Sequence, residues 1–334
     1  MSTTNIPPPP GYEHIACPLC GADGGVIVLR GRDRVLNEPV ELTIIRCDAC
    51  ALCYLNPRPQ LERLGAYYPQ DYHAHRTQKG DVVGDGTSVR IRKLLLRHLY
   101  ARPERKPTGV AGAFASTLLA LRDSERLGAG LQVRGAGKLL DFGCGHGKLL
   151  RRMQAAGWDV VGLDFSEQAV AAVRAAGLEA QQGTLPHPAI ARESFDAVVM
   201  EHALEHVPDP LAVLRGAHEA LRPGGALLVH VPNFNAWEVE RFGEHAIQVD
   251  LPRHLLHFEP ATLAKLLERA RFGEVKVETR PRRGSVRKSI NLARQSGRPL
   301  SKWMNLDATH RLICRRNRNS DRGSDLIAMA AKPA

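Results

Sequence analysis

The sequence predicts an α/β fold, a doubly wound and mostly parallel sheet, preceded by a small cysteine-bearing module. Three observations predict it. Leu139-Leu140-Asp141-Phe142 is a short apolar run that breaks into glycines at alternate positions, Gly143, Gly145 and Gly147, before a helical pattern opens at Leu149-Leu150. Val160 to Leu163 is a second apolar run, and it ends in Asp164. Phe195 to Met200 and Ala226 to Val231 repeat the pattern with helical stretches between. Unbroken apolar runs of this length are what strands buried on both faces require.

From the N-terminus, residues 1–16 carry polar residues and the Pro7-to-Pro10 tract, which predicts a disordered tail and shows no charged-then-apolar leader. No apolar run approaches the ~20 residues of a membrane-spanning helix. These features predict a cytoplasmic protein, whose cysteines are then thiols or metal ligands. Cys17-Pro18-Leu19-Cys20 and Cys47-Asp48-Ala49-Cys50 are two C-x2-C knuckles separated by 26 residues. Each can present two thiolates to one tetrahedral ion, so residues 17–60 are predicted to form a zinc ribbon with a structural Zn2+ on Cys17, Cys20, Cys47 and Cys50. Val26 to Leu29 and Val40 to Ile45 supply the hairpin between the knuckles. Cys53 is a substitute ligand. A four-thiolate site has no open position for water or substrate, so it points to folding rather than catalysis.

Residues from about Asp81 to Gly137 lack strand signals, and spaced leucines with basic residues over Val89–Leu99 and Ala113–Leu127 predict amphipathic helices in a linker or cap over 61–135. The glycine turn that follows lets backbone approach a ligand closely. It is not the dinucleotide fingerprint: Lys148 stands at the third-glycine position, and Asp141 would sit badly beside a diphosphate. Asp164, at the tip of the next parallel strand, can accept hydrogen bonds from a ribose diol. S-adenosylmethionine has a ribose, a sulfonium and an ammonium, and no phosphate, so it suits both carboxylates.

Phe142-Gly143-Cys144-Gly145 followed by Leu163-Asp164-Phe165-Ser166 resembles the first two motifs of class I S-adenosylmethionine-dependent methyltransferases, and Leu221-Arg222-Pro223-Gly224-Gly225 resembles the phrase before their fifth strand. The knuckles, Asn56-Pro57-Arg58-Pro59, the Tyr67-Tyr68 to Tyr72 cluster and Asp250-Leu251-Pro252-Arg253-His254 resemble the UbiG-like broad family with an N-terminal zinc ribbon, often associated with saccharide and secondary-metabolite synthesis. The resemblance implies a seven-stranded Rossmann-like domain over 136–334, with Gly273–Thr279 and Asp325–Lys332 as the antiparallel end of the sheet. It also implies S-adenosyl-L-methionine as cofactor, on Asp141, Phe142, Gly143, Cys144, Gly145, Asp164, Phe165, Thr184, Leu185 and Glu201.

Transfer to a hydroxyl benefits from a general base. His206 and His254 are the favoured candidates, with His202 and His257 beside them; the other reading makes His206 a local cap and His254 a contact of the long Asn233-to-His257 connection. His202-Ala203-Leu204-Glu205-His206 also spells the inverted zinc-peptidase motif, which its place after a core strand sets aside, while a divalent-cation site on His202, Glu205 and His206 stays open. Net charge is +11, concentrated in a basic insertion at 282–323 that suits nucleic acid, an anionic membrane surface, an acidic substrate or plain solvation. Three functions follow: methylation of a small-molecule hydroxyl in a saccharide or secondary metabolite, RNA base methylation, and a non-catalytic scaffold. The low aromatic content, 5%, disfavours an RNA groove, and the intact Gly143, Gly145 and Asp164 disfavour the scaffold.

Overall fold

The structure is a computed structural model that describes residues 7–36, 38–68 and 137–334. The helices expected over Val89–Leu99 and Ala113–Leu127, and the tyrosine cluster beyond Tyr68, lie outside the described residues.

The N-terminal part is all β. Strand β1 (Tyr12–Glu13) pairs with β5 (Arg58–Pro59), while β2 (Gly25–Gly31), β3 (Leu42–Cys47) and β4 (Cys53–Leu55) form an antiparallel meander. One cysteine knuckle precedes β2 and the other links β3 to β4, and the two share one backbone pattern. Gly21 N–H donates to the Cys17 carbonyl and Ala51 N–H to that of Cys47, and both Gly21 and Ala51 have positive φ, 74° and 67°. Alanine accepts that conformation only under strain, so the second turn is held by its surroundings.

The second sheet has seven strands. Strands β6 (Lys138–Phe142), β7 (Asp159–Asp164), β8 (Glu179–Gln182), β9 (Phe195–Glu201) and β10 (Leu221–Pro232) are parallel. Strands β12 (Gly273–Arg280) and β13 (Asp325–Ala331) close one end in the order β12-β13-β10-β9-β6-β7-β8, with β13 antiparallel to both neighbours. This is the α/β architecture the apolar runs predicted. One boundary differs: Leu221-Arg222-Pro223-Gly224-Gly225 is not merely a helix stop, because Leu221 already pairs with Phe195 before the register shifts and resumes at Ala226.

Helices α1 (Lys148–Ala155), α2 (Glu167–Ala175), α3 (Pro210–Ala220), α4 (Trp237–Phe242) and α5 (Pro260–Arg269) follow. Their starts are written locally. Ser166 Oγ accepts the Ala169 N–H, Asp209 accepts the Ala212 N–H, and Pro210 and Pro260 sit in first turns, where no N–H is needed. The Asn233-to-His257 connection holds α4 and a 3-10 turn at Gly243–His245. The basic insertion is folded: α6 (Arg283–Gln295) and α7 (Asp307–Arg316) pack with Val286, Ser289, Ile290, Ala293 and His310 buried.

The two parts are joined by backbone as well as side chains. Strand β11 (Leu256–His257), from the far end of the connection, adds to β4, so the N-terminal sheet reads β11-β4-β3-β2. Arg46 forks onto Glu259 at 3.1 and 2.6 Å. The Arg253 side chain is fully buried between Asp33, from the turn after β2, and Asp250.

Candidate active site

The carboxyl ends of β6, β7 and β9 bring most of the sequence-predicted cofactor residues to one edge. Gly143 has φ 76°, and a Cβ there would lie 2.5 Å from the Ala203 Cβ, so glycine is required by both conformation and space. Asp164 is 7% exposed and already fixed: Oδ2 accepts the Gly145 N–H at 2.8 Å and Oδ1 the Ser166 N–H at 2.9 Å. Each oxygen keeps a further lone pair, one for each hydroxyl of a ribose. Phe165 beside it is 56% exposed, an apolar face suited to an adenine ring, with Tyr68 packed edge-on at 5.5 Å. Thr184 follows Gly183, whose N–H donates to the Asp164 carbonyl, whereas Leu185 is buried against Gly216 and is packing. Cys144 is buried, against Gly162.

Asp141 is 2% exposed, and burial, reinforced by the charges of Glu201 and Asp164, pushes its carboxyl well above the usual carboxylate range. A bound cation would relieve that, so the residues present fit a donor with a ribose and an ammonium. At Glu201 burial acts upward but loses to the hydrogen bond and charge of His230, helped by His202 and Arg152, which hold it at about 2.

The acceptor side is lined by histidines, and their partners sort them. His202 has a left-handed φ of 54°, its side chain is 39% exposed, and its Nδ1 lies 3.3 Å from Glu205 Oε1. Glu205 is buried, which would raise its pKa, but the His202 hydrogen bond and the charges of His206, His202 and His254 bring it to about 2. An ionised carboxylate on Nδ1 leaves the exposed Nε2 of His202 as the basic nitrogen. His206 and His254 each have Nδ1 at 2.9 Å from a backbone carbonyl, Arg253 and Gln248 respectively. A carbonyl only accepts, so the His254 ring carries its Nδ1 proton, whereas the Tyr68 hydroxyl also meets His206 Nδ1, at 3.0 Å. His254 is 6% exposed and burial, with the charge of His206, pushes it down to about 4. His257 is equally buried, is pushed down to about 3 by burial and the charge of His254, and stands in β11. The solvent-reachable dyad is therefore His202 with Glu205, rather than the favoured pair His206 and His254, which packs edge to face at 4.9 Å.

The divalent set expected on His202, Glu205 and His206 is divided. Glu205 and His206 group with His254, while His202 groups with His230 and Asp325. His230 and Asp325 carried no sequence prediction. His230 stacks on His202 at 4.3 Å, and its Nε2 lies 3.1 Å from Asp325 Oδ2, which also takes Arg282 at 2.9 Å. Burial would lower His230, but Asp325 and Glu201 hold it at about 9. A charged residue closing the apolar run Ala226–Val231, level with Glu201, was the available signal.

At the knuckles the Sγ atoms of Cys17, Cys20, Cys47 and Cys50 lie within 4.8 Å of one another, with Cys17–Cys50 at 3.4 Å and Cys20–Cys47 at 3.5 Å. A zinc ion with ~2.3 Å bonds to four thiolates sets sulfurs about 3.8 Å apart, so the cage fits such an ion. Cys53 is not in it; its thiol is buried in β4. Among the described residues no helix is long and apolar enough to cross a membrane.

The chain is similar to several known proteins. The methyltransferase-domain family matches residues 91–276, more than half of the chain. The ubiquinone biosynthesis O-methyltransferase of Aromatoleum aromaticum is 36% identical over 149 residues, covering 40% of this chain and 64% of that protein. The protein of that name from Ruegeria pomeroyi is 36% identical over 152 residues, 43% and 57% of the two chains. This chain thus spans less than two thirds of the length of these curated relatives. Among solved structures, an S-adenosylmethionine-dependent methyltransferase from Mesorhizobium loti is 22% identical with a TM-score of 0.43, covering 62% of this chain and 96% of its own. One from Archaeoglobus fulgidus is 20% identical with a TM-score of 0.41, covering 59% and 87%. Matched over more than half its length, the chain belongs to the class I S-adenosylmethionine-dependent methyltransferases.

Proposed function

We propose that the protein transfers the methyl group of S-adenosylmethionine to a hydroxyl of a small molecule, of the saccharide or secondary-metabolite class. The observation that carries this reading is a fixed, half-satisfied Asp164 carboxylate at the same sheet edge as an exposed histidine backed by an ionised glutamate. Asp141, Gly143, Gly145, Asp164, Phe165 and Glu201 hold the donor, which when bound supplies an electrophilic methyl group on sulfur. His202 Nε2 takes the acceptor proton as the oxygen attacks, and Glu205 stabilises the imidazolium that results. His206 and His254, tied to the Arg253 and Gln248 carbonyls, shape the acceptor wall. Positioning the oxygen in line with the methyl carbon supplies much of the remaining rate.

In this reading residues 17–60 are a zinc ribbon whose closed Cys17, Cys20, Cys47 and Cys50 site is structural, 61–135 a cap, and 136–334 the catalytic domain. The printed name of the relatives favours a second acceptor, a hydroxyl in ubiquinone biosynthesis. The test is transfer of labelled methyl to a panel of sugars, phenolic metabolites and quinone precursors, with products read by mass spectrometry. Methylated oxygen in any of them supports the reading; donor binding with label only in structured RNA overturns it.

A further inference from the structure

The basic insertion has a surface that the proposed chemistry does not use. Among the described residues, five large hydrophobic side chains are more than half exposed, and three of them, Trp303 (56%), Leu306 (56%) and Leu312 (67%), belong to this one segment. Trp303 and Leu306 stand together at the start of α7: the Trp303 carbonyl accepts the Leu306 N–H at 3.0 Å and the Thr309 hydroxyl at 2.9 Å. Leu312 lies one to two turns further along the same helix. There the inner face is His310, Ile313, Cys314 and Asn317, and the outer face is Arg311, Leu312, Arg315 and Arg316, all four exposed. Residues 282–323 hold 12 Lys/Arg against Asp307 and Asp321, so nearly all of the chain's net charge of +11 resides here.

We infer that this segment, with Leu312 beside Arg315 and Arg316 on the outer side of α7 and Trp303 and Leu306 exposed at its start, docks on an anionic lipid surface. Charge alone would suit any polyanion. The leucines decide between them. Leucine gains nothing from a phosphate backbone, and one tryptophan is a poor stacking platform for successive bases. At a bilayer interface the same side chains enter the headgroup boundary while arginines meet anionic headgroups, and tryptophan favours that depth. Exposed apolar side chains interleaved with arginines in this way are what an interfacial segment presents.

The face is braced against the acceptor side of the cleft. The Ile247 N–H donates to Ser289 Oγ of α6 at 3.0 Å, and Arg282, just before α6, holds Asp325, which holds His230. A docked protein would thus carry its acceptor wall close to the membrane, where an amphiphilic acceptor partitions. The docking itself does not depend on what the acceptor is.

The test is co-sedimentation of the full chain with vesicles of phosphatidylcholine alone or with about 30% phosphatidylglycerol, at low and high salt. The inference predicts at least about tenfold tighter binding to the anionic vesicles, weakened by salt. It also predicts a blue shift of tryptophan emission that Trp303→Ser abolishes, since Trp158 is buried and Trp237 half-buried. Leu312→Glu and the pair Arg315→Glu/Arg316→Glu should each reduce binding about tenfold or more with the melting temperature unchanged, as expected for exposed positions. The inference is overturned by equal binding to neutral and anionic vesicles, or by none. It is equally overturned if the arginine changes abolish binding while Trp303→Ser and Leu312→Glu leave it intact and transfer RNA competes fully, which would make the face a polyanion site. Loss of donor binding would sink the proposed function and leave this result standing.

Discussion

Breaking the Arg253–Asp33 pair is the sharpest perturbation of how the two sheets are held together. Arg253 Nη2 lies 2.8 Å from both Asp33 Oδ1 and Asp250 Oδ1, Nη1 lies 3.3 Å from Asp33 Oδ2, and the Tyr67 and Leu251 carbonyls accept further bonds. The Arg253 and Asp33 side chains are 0% and 1% exposed. Burial alone would lower the Arg253 pKa, but the two carboxylates raise it above its ordinary value, so the guanidinium stays charged across all working pH. Removing one member leaves the other charge buried, which costs about 3–5 kcal/mol. In a chain of this size that is a fall in melting temperature of about 4–7 °C. Asp33→Ala and Arg253→Ala should each show it, and the double variant should lose clearly less than the sum, giving a coupling of at least about 2 kcal/mol. Urea unfolding of the four proteins measures this. Single losses that add within about 0.5 kcal/mol would refute the claim that this contact joins the N-terminal sheet to the segment carrying His254.

Three further outcomes follow from the site. The purified protein should hold one equivalent of zinc by elemental analysis; Cys47→Ser should lose it and leave residues 17–60 protease-sensitive, whereas full metal retention would contradict the four-thiolate cage. His202→Ala and Glu205→Gln should slow methyl transfer by about 10²–10⁴-fold while S-adenosylhomocysteine affinity stays within about twofold, and equal losses in binding would assign them to the donor instead. The share of stability owed to His254 and His257 should fall as pH drops from 6.5 towards 4, against an opposite trend from the buried Asp141 and Glu238 carboxyls, whose pKa values burial raises. His254 and His257 are held neutral in the fold, at about 4 and about 3, so below 6.5 the unfolded chain binds protons that the folded chain does not. Each contributes up to about 3 kcal/mol that is present above pH 6.5 and lost through this window. His230, held at about 9, contributes in the opposite sense, losing stability only as pH rises from 6.5 through 9. Urea midpoints at pH 7 and 4.5 for wild type and the His254→Gln/His257→Gln double variant check this, and an equal pH response in both would contradict the buried placement of the two rings.

What was legible in the sequence is what short segments decide by themselves. Leu139–Phe142, Val160–Asp164 and Phe195–Met200 are mostly apolar and short, as buried strands are, and the glycines and Asp164 stand at the ends of the strands they mark. The cysteine knuckles were legible for the same reason, each being closed within five residues. Pairings across long separations were not. Asp33 meets Arg253 from 220 residues away, and Asp325 meets His230 from 95. Leu256-His257 gives no signal that it will extend a sheet begun at Gly25, because two residues carry no period. The standing of the histidines depended on those distant contacts. Which ring faces solvent, and which nitrogen a carbonyl or carboxylate has claimed, follows from tertiary packing alone, which is why the proposed base is His202 rather than His206 or His254.

The account rests on one adenosyl donor seated between the glycine turn and Asp164. Calorimetric titration with S-adenosylhomocysteine, for wild type and Asp164→Ala, tests that most directly. Losing two hydrogen bonds to a charged acceptor should weaken binding by about 100-fold, with the variant still folded. Undiminished affinity in Asp164→Ala, or no binding by wild type, would contradict it.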